Sequence, residues 1–327
     1  MDPAKAAFFI RTGPNVFAPT NMTIGPWDAN SQHGGPPAAL AAHMIVDSSK
    51  ADGKFLLSKF SFHLYRPVSV AKQLRVQVKP IQQSKNVWHV EAVLTTADEV
   101  DSKLVARGEG LLLRELGLKA SEDAELLKLA SGLCDAKDAG GVPPYPHQLA
   151  DLKPQAKYTS WMPNMPTYNS FCDLNAIRGN DAVLDLKQPS QSEIAARVEG
   201  ALVYAAPRTW ELVRDAEPAQ NPPVRLNPTL FAIILADSAN GISGILPFGK
   251  WIFTNADYTM QFYRAPRLTG WDGDGANAQP LGFKFRSRLE PANLHGLSFT
   301  EILDTTGLAA ISTQHLCVRP PGGISSL

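Results

Sequence analysis

Apolar and polar residues alternate along several stretches of this chain with the period of two that a half-buried strand requires. From Phe60 to Arg66 the residues read Phe-Ser-Phe-His-Leu-Tyr-Arg, and from Tyr258 to Arg264 they read Tyr-Thr-Met-Gln-Phe-Tyr-Arg, ending in the same Tyr-Arg corner. The offset is 264 − 66 = 198. A second match sets Leu104–Arg114 against Leu308–Arg319, with an offset of 319 − 114 = 205. An internal repeat governs the fold assignment, so it comes before any local reading. The pattern predicts strands over 58–66, 72–79, 87–96 and 104–114, and again over 256–263, 281–289, 297–304 and 308–318.

One helix precedes each strand set. The segments Pro36–Asp47 and Pro228–Asp237 end at matching positions, 237 − 47 = 190. Each opens on proline, whose missing N–H costs nothing in a first turn; Asn227 is a fitting N-cap for the second, and Gly241 can close it. Both are apolar nearly all round, so both are expected to be buried. Four antiparallel strands wrapped around one buried helix, used twice, is the hot-dog architecture, an α+β fold, with the two sheets joined edge to edge in one antiparallel surface. The units run 1–118 and 166–327. Residues 119–165 form a linker with a short helix over 121–134 and a Gly/Pro-rich stretch over 140–146. The opening strands of the second unit fall within 166–186 and 196–210.

Composition narrows the functional classes. A 44% hydrophobic content supports a sizeable core, and 31 basic residues against 31 acidic ones give no field that would draw nucleic acid. Three cysteines, Cys134, Cys172 and Cys317, fit neither a disulfide framework nor a CxxC metal site, and a reducing compartment is expected. The apolar run Ala6–Phe9 is too short for a signal-peptide core, and no stretch approaches the roughly 20 apolar residues of a membrane span. The cytoplasm is therefore expected. The peroxisome is the alternative, because Ser325-Ser326-Leu327 shares its outer residues with the peroxisomal address but lacks the central basic one.

The segment from Trp27 to Leu40 contains Asp28, Asn30 and His33-Gly34-Gly35 just before the first helix. The second half contains Leu235-Ala236-Asp237, the run Asp257–Arg264, and Ser312-Thr313-Gln314. In their order and spacing these residues resemble the double-hot-dog acyl-CoA thioesterases of the thioesterase II type and their thioesterase-like relatives, over roughly 16–115 and 166–320. The resemblance implies a catalytic Asp on the second helix, a hydroxyl or amide on the strand that follows, and a Gln on the last strand. Asp237 and Gln314 fill two of these places. The third falls on Asn255, with Thr254 beside it, where that family's best-known members carry Thr or Ser. His33, Gly34, Gly35 and Asp28 are then expected to bind substrate at the entrance.

Thioester hydrolysis needs an activated water and donors for the oxyanion. Asp237 ends an uncharged run, and burial together with the negative end of its helix is expected to raise its pKa and strengthen it as a base. Gln314 and Asn255 would hold the water or polarise the carbonyl through their amide N–H groups. The plainer alternative makes Asp237 a cap for the turn at Ser238 and Asn240, with Gln314 on an edge strand facing solvent. In the repeat, Glu109 takes the place of Gln314 and Asp47 that of Asp237; Asp47 is expected to be a cap.

A rival reading uses Asp28, Asn30 and His33, which stand at the spacing of the hot-dog enoyl-CoA hydratases, although the Pro and aliphatic residue of that motif are missing. Gly241-Ile242-Ser243-Gly244 does not complete a nucleophile elbow, and Asp272-Gly273-Asp274-Gly275 lacks the Glu of a calcium loop. No metal and no bound cofactor are expected, since coenzyme A would enter as the leaving group of a small-molecule acyl thioester. A hydratase, dehydratase or cyclase on the same fold, or a non-catalytic module, is the other functional class. A fused pair supplies the dimer that a single hot-dog unit needs and leaves room for a further homo-oligomer.

Overall fold

A computed structural model of the chain describes residues 7–25, 28–50, 54–97, 102–115, 156–157, 172–178, 201–207, 211–216, 222–239, 252–267, 281–290, 295–304 and 307–319. The expected linker helix over 121–134, the stretch over 140–146, Trp27, Cys134, Asn240, Gly241 and the C-terminal tripeptide lie outside them.

The first half runs β1 (Ala7–Gly13), β2 (Val16–Pro19), α1 (Gly35–Asp47), β3 (Phe55–Leu64), β4 (Leu74–Gln83), β5 (Val87–Thr96) and β6 (Leu104–Arg114). The second runs β7 (Ala156–Lys157), β8 (Cys172–Arg178), β9 (Ala201–Pro207), β10 (Glu211–Asp215), β11 (Val224–Arg225), α2 (Pro228–Ala236), β12 (Ile252–Phe262), β13 (Leu281–Glu290), β14 (His295–Asp304) and β15 (Gly307–Arg319). The fifteen strands form one sheet in the order β11-β10-β1-β2-β4-β5-β6-β3-β12-β15-β14-β13-β9-β8-β7. The run of apolar residues around Phe8 and Phe9 is strand β1, and both phenylalanines are fully buried in the core.

The order is symmetrical about the β3–β12 junction. Outward on one side come β3, β6, β5 and β4, and on the other β12, β15, β14 and β13, which is the first, fourth, third and second strand of each quartet. At the junction Ser61 pairs with Thr259, and their hydroxyls are 3.0 Å apart. The two residues are 198 apart in sequence, the repeat offset itself, so Ser61 faces its own counterpart. That happens only on a two-fold axis. Phe60, Phe62 and Tyr258 pack across the same junction with ring centroids 5.9–6.3 Å apart. Burying rings of this size contributes on the order of 2–3 kcal/mol each.

The edge-to-edge join is antiparallel, but β1 pairs with β10 in parallel, which departs from the expected all-antiparallel surface. No hairpin links those two strands, so nothing imposes the antiparallel sense. β9 and β10 stand thirteenth and second in the sheet, yet Pro207 and Glu211 are separated by three residues, a reach of about 14 Å at most. The sheet must therefore curl until its two ends approach.

The structure also corrects the second repeat match. Ser61 pairs with Glu109 and Thr259 with Thr313, giving an offset of 313 − 109 = 204, not 205. The counterpart of Gln314 is thus Gly110, and Glu109 projects from the exposed face. A slip of one residue along a strand exchanges its faces, which is why matching Arg114 with Arg319 misassigned the pair. Asp47 is exposed at the end of α1, and its carboxylate pairs with Lys50.

Helix α1 packs on β3, β4, β5 and β6 through a face that includes Leu40, Ala41 and Ile45. It lies so close to β6 that a Cβ on Gly110 would come 2.6 Å from Ile45 Cγ2. Helix α2 is N-capped by Asn227, whose Oδ1 accepts from the Leu230 amide at 2.9 Å, and it ends at Ala236 with Asp237 as its C-cap. All its residues from Leu230 to Ala236 are buried. The two helices touch where Gly35 meets the backbone of Ile234; a Cβ there would lie 2.4 Å from the Ile234 carbonyl oxygen.

Candidate functional site

The contact between the helices brings the start of α1 to the end of α2. A turn through Asp28–Gly34 leads into α1 and is pinned by backbone bonds from His33 N to Thr23 O and from Gln32 N to Val68 O, both 2.7 Å. This fixes the imidazole of His33 with Nδ1 at 3.0 Å from Oδ2 of Asp237. The pair is sheltered, with side-chain exposures of 10% for His33 and 3% for Asp237. Gly34 is required by the same approach, since a Cβ there would lie 2.9 Å and 3.0 Å from the two carboxylate oxygens.

The other carboxylate oxygen is held from the second half. Asn255 Nδ2 donates to Asp237 Oδ1 at 2.6 Å and to the Asp237 carbonyl at 2.9 Å. Strand alternation alone would turn Asn255 to the outer face, opposite Tyr258. A β-bulge between Asn255 and Asp257 shifts the register by one and turns it inward. The same bulge occurs between Leu57 and Lys59 in β3, so the local bend belongs to both copies and only the second carries an amide on it. Thr254, the next residue along, faces away from Asp237 by the same alternation.

Gln314 is completely buried on β15 and donates through Nε2 to the carbonyl of Ala236, the last helical residue of α2. A helix leaves its final carbonyls without partners in its own ladder, and here Gln314, Asn255 and the more distant Tyr258 hydroxyl, 3.4 Å from the Ile233 carbonyl, supply them. Because each amide nitrogen faces acceptors, its orientation is determined. The N–H groups expected to polarise a substrate carbonyl are thus engaged with α2, and the oxygens Asn255 Oδ1 and Gln314 Oε1 are buried with no hydrogen-bonding partner among the described residues.

The electrostatics of Asp237 run against the sequence expectation. Burial pushes its pKa up, but the His33 charge, the His33 and Asn255 hydrogen bonds and the Gly35 backbone N–H together outweigh burial and hold it below the ordinary carboxylate value. The expectation considered only the negative end of α2; the carboxylate also faces the positive end of α1. The Ser238 amide bonds to the Leu235 carbonyl rather than to the Asp237 side chain, and Asn240 lies outside the described residues.

Asp28 is not brought to this cluster. It is exposed, with Oδ1 accepting from the amide and side chain of Asn30 and Oδ2 from Ser31, and the backbone N–H of Asn30, followed by the Ser31 hydroxyl, lowers its pKa. The structure therefore joins His33, Gly34, Gly35, Asp237, Asn255 and, through Ala236, Gln314, while leaving Asp28 in a local turn and Thr254 on the opposite face. Sequence reasoning placed His33 at an entrance. Its contact with Asp237 spans two halves about 200 residues apart, and no local pattern carries that.

Residues 23–109 match the family model of the acyl-CoA thioesterase N-terminal domain. Among solved structures, a hot-dog-fold protein of unknown function from Alicyclobacillus acidocaldarius is similar at 14% identity, covering 98% of both chains with a TM-score of 0.60. The tesB protein of Mycobacterium avium subspecies paratuberculosis is similar at 12% identity, covering 95% of this chain and 96% of its own, with a TM-score of 0.54. An acyl-CoA thioesterase II of Mycobacterium marinum is similar at 12% identity over 97% of both chains, with a TM-score of 0.53. At such identities these likenesses establish the fold alone. No relative is found among curated proteins. The chain has the hot-dog fold, and the likeness of its residues 23–109 to the acyl-CoA thioesterase N-terminal domain is a match over that segment. Among the described residues no helix is long and apolar enough to cross a membrane.

Proposed function

We propose that this chain is a thioester hydrolase acting on an acyl-CoA or a related acyl thioester, on a double-hot-dog frame with units 1–118 and 166–327 joined by 119–165. Strand β10 lies beside β1, so strands from both proposed units pair in one sheet.

In the proposed reaction Asp237 accepts a proton from a water molecule as the water oxygen bonds to the thioester carbonyl carbon. The second proton of that water points to Asn255 Oδ1 or Gln314 Oε1, the two buried acceptors beside the end of α2. Collapse of the tetrahedral intermediate breaks the C–S bond. The thiolate of coenzyme A leaves and takes up the proton held by Asp237, giving a free carboxylic acid and a thiol. His33 keeps Asp237 ionised before water arrives, and Gly34 and Gly35 allow the two helix ends to meet.

The observation that carries this reading is a buried carboxylate whose two oxygens lie 3.0 Å from His33 Nδ1 of one half and 2.6 Å from Asn255 Nδ2 of the other. A carboxylate sequestered in this way is a candidate functional group on physical grounds. The test is a thiol-release assay of the wild-type protein across acyl-CoAs of differing chain length. Hydrolysis of at least one of them at a rate well above background supports the reading, and folded protein inert across the panel overturns it.

A further inference from the structure

The two copies fill equivalent positions of their inner faces with different chemistry. On β5 and β6 the paired positions are Val90 with Gly110 and Ala92 with Gly108. On β14 and β15 the same positions are Ser298 with Gln314 and Thr300 with Ser312, and Ser287 of β13 stands beside Ser298. All five of these polar residues are at most 2% exposed. In the first copy α1 rests on two glycines. In the second a glutamine side chain stands between sheet and helix, reaching the Ala236 carbonyl.

Some of this polarity is internally satisfied, since the hydroxyls of Ser287 and Ser298 are 2.9 Å apart. The hydroxyls of Thr300 and Ser312 differ. They face the same interior from directly paired positions on adjacent strands, both are buried, and neither has a hydrogen-bonding partner among the described residues. A buried hydroxyl left unpaired is destabilising, and the first copy shows that packing a helix on this face requires no hydroxyl at all. Ser312 lies two residues along β15 from Gln314, about 7 Å from the level at which that side chain meets the end of α2.

We propose that Thr300 and Ser312 form a subsite for an oxygen substituent, hydroxyl or keto, on the acyl chain of the substrate, so that the protein selects oxygenated over plain acyl groups. A hydroxyl both donates and accepts, so this pair can donate to a keto oxygen or exchange bonds with an alcohol. Placing the thioester end of the ligand at Asp237 rests on the hydrolytic reading above; the pairing of Thr300 with Ser312 on the inner face does not.

The test uses equilibrium binding, so that it is independent of turnover. Non-hydrolysable thioether analogues of acyl-CoA, of one chain length and either unsubstituted or hydroxylated at the β, δ or a more distal carbon, are titrated into the full chain by calorimetry. At least one hydroxylated analogue is expected to bind at least about tenfold more tightly than the unsubstituted one. In the double variant Thr300→Val with Ser312→Ala this preference disappears while the unsubstituted analogue binds as before, and the variant melts at or above the wild-type temperature. A wild type without preference, or a variant that keeps it, overturns the proposal. So does a variant that melts well below wild type with unaltered selectivity, the signature of hydroxyls bridged by structural water. A protein that prefers an oxygenated analogue yet hydrolyses no thioester keeps the subsite and loses the hydrolytic reading.

Discussion

His33 Nδ1 lies 3.0 Å from Asp237 Oδ2 and joins the turn before the first helix to the end of the second. Removing the imidazole leaves burial to dominate at Asp237, so its pKa must rise. In His33→Ala the acid limb of the kcat/KM profile for thioester hydrolysis is expected to move to higher pH, with activity recovered in part at alkaline pH. An acid limb unmoved from wild type would mean that the pair does not set the charge of Asp237.

Gly35 marks the closest approach of the two helices. In Gly35→Ala the new Cβ would lie 2.4 Å from a backbone oxygen that cannot rotate away, so α1 and α2 must separate. A loss of about 1–3 kcal/mol in denaturant unfolding is expected, with a larger fall in activity than in stability because the separation also pulls His33 from Asp237.

Asn255→Asp replaces a donor to Asp237 with a second carboxylate at a position now 2.6 Å from Oδ1. Like charges at that distance cannot both ionise, so the pair retains one proton near neutral pH, and that proton, shared between the two carboxyls, ties up the oxygen through which Asp237 would take a proton from water. Hydrolysis is expected to fall by about 100-fold. Asn255→Thr, which restores the hydroxyl that the resemblance implies, should retain more activity than Asn255→Asp when both are assayed side by side.

His43 on α1 supplies a pH dependence of stability. Burial lowers its pKa from 6.5 to about 4, with partial opposition from Asp47. The unfolded chain therefore binds a proton between those values that the folded chain does not, and stability falls as pH drops from 6.5 toward 4. The contribution is at most about 3 kcal/mol. Unfolding free energies measured across that range should show a shallower decline in His43→Gln than in wild type.

Much of this architecture was legible in the alternation of apolar residues. Strands β5 and β6 have the expected bounds, and the 198-residue offset reappears as the separation of Ser61 and Thr259 on the two-fold axis. Strands β1, β2 and β10 escaped because they are short and borrow stability from neighbours distant in sequence; Phe8 and Phe9 read as a small apolar run until the sheet gave them a face. The proximity of Asp237, Asn255 and Gln314 was suggested by resemblance and their order, but the inward turn of Asn255 depends on a one-residue bulge, which a period of two cannot encode. The contact of His33 with Asp237 left no trace in the sequence pattern, because the two residues lie in different halves of the chain.

The most direct measurement is thiol release by Asp237→Asn against wild type on the best acyl-CoA substrate, with circular dichroism and melting temperature recorded on the same samples. Loss of a positioned general base predicts a fall of at least about 100-fold with secondary structure retained. Activity within a few-fold of wild type would contradict the account and move the proton acceptor away from Asp237.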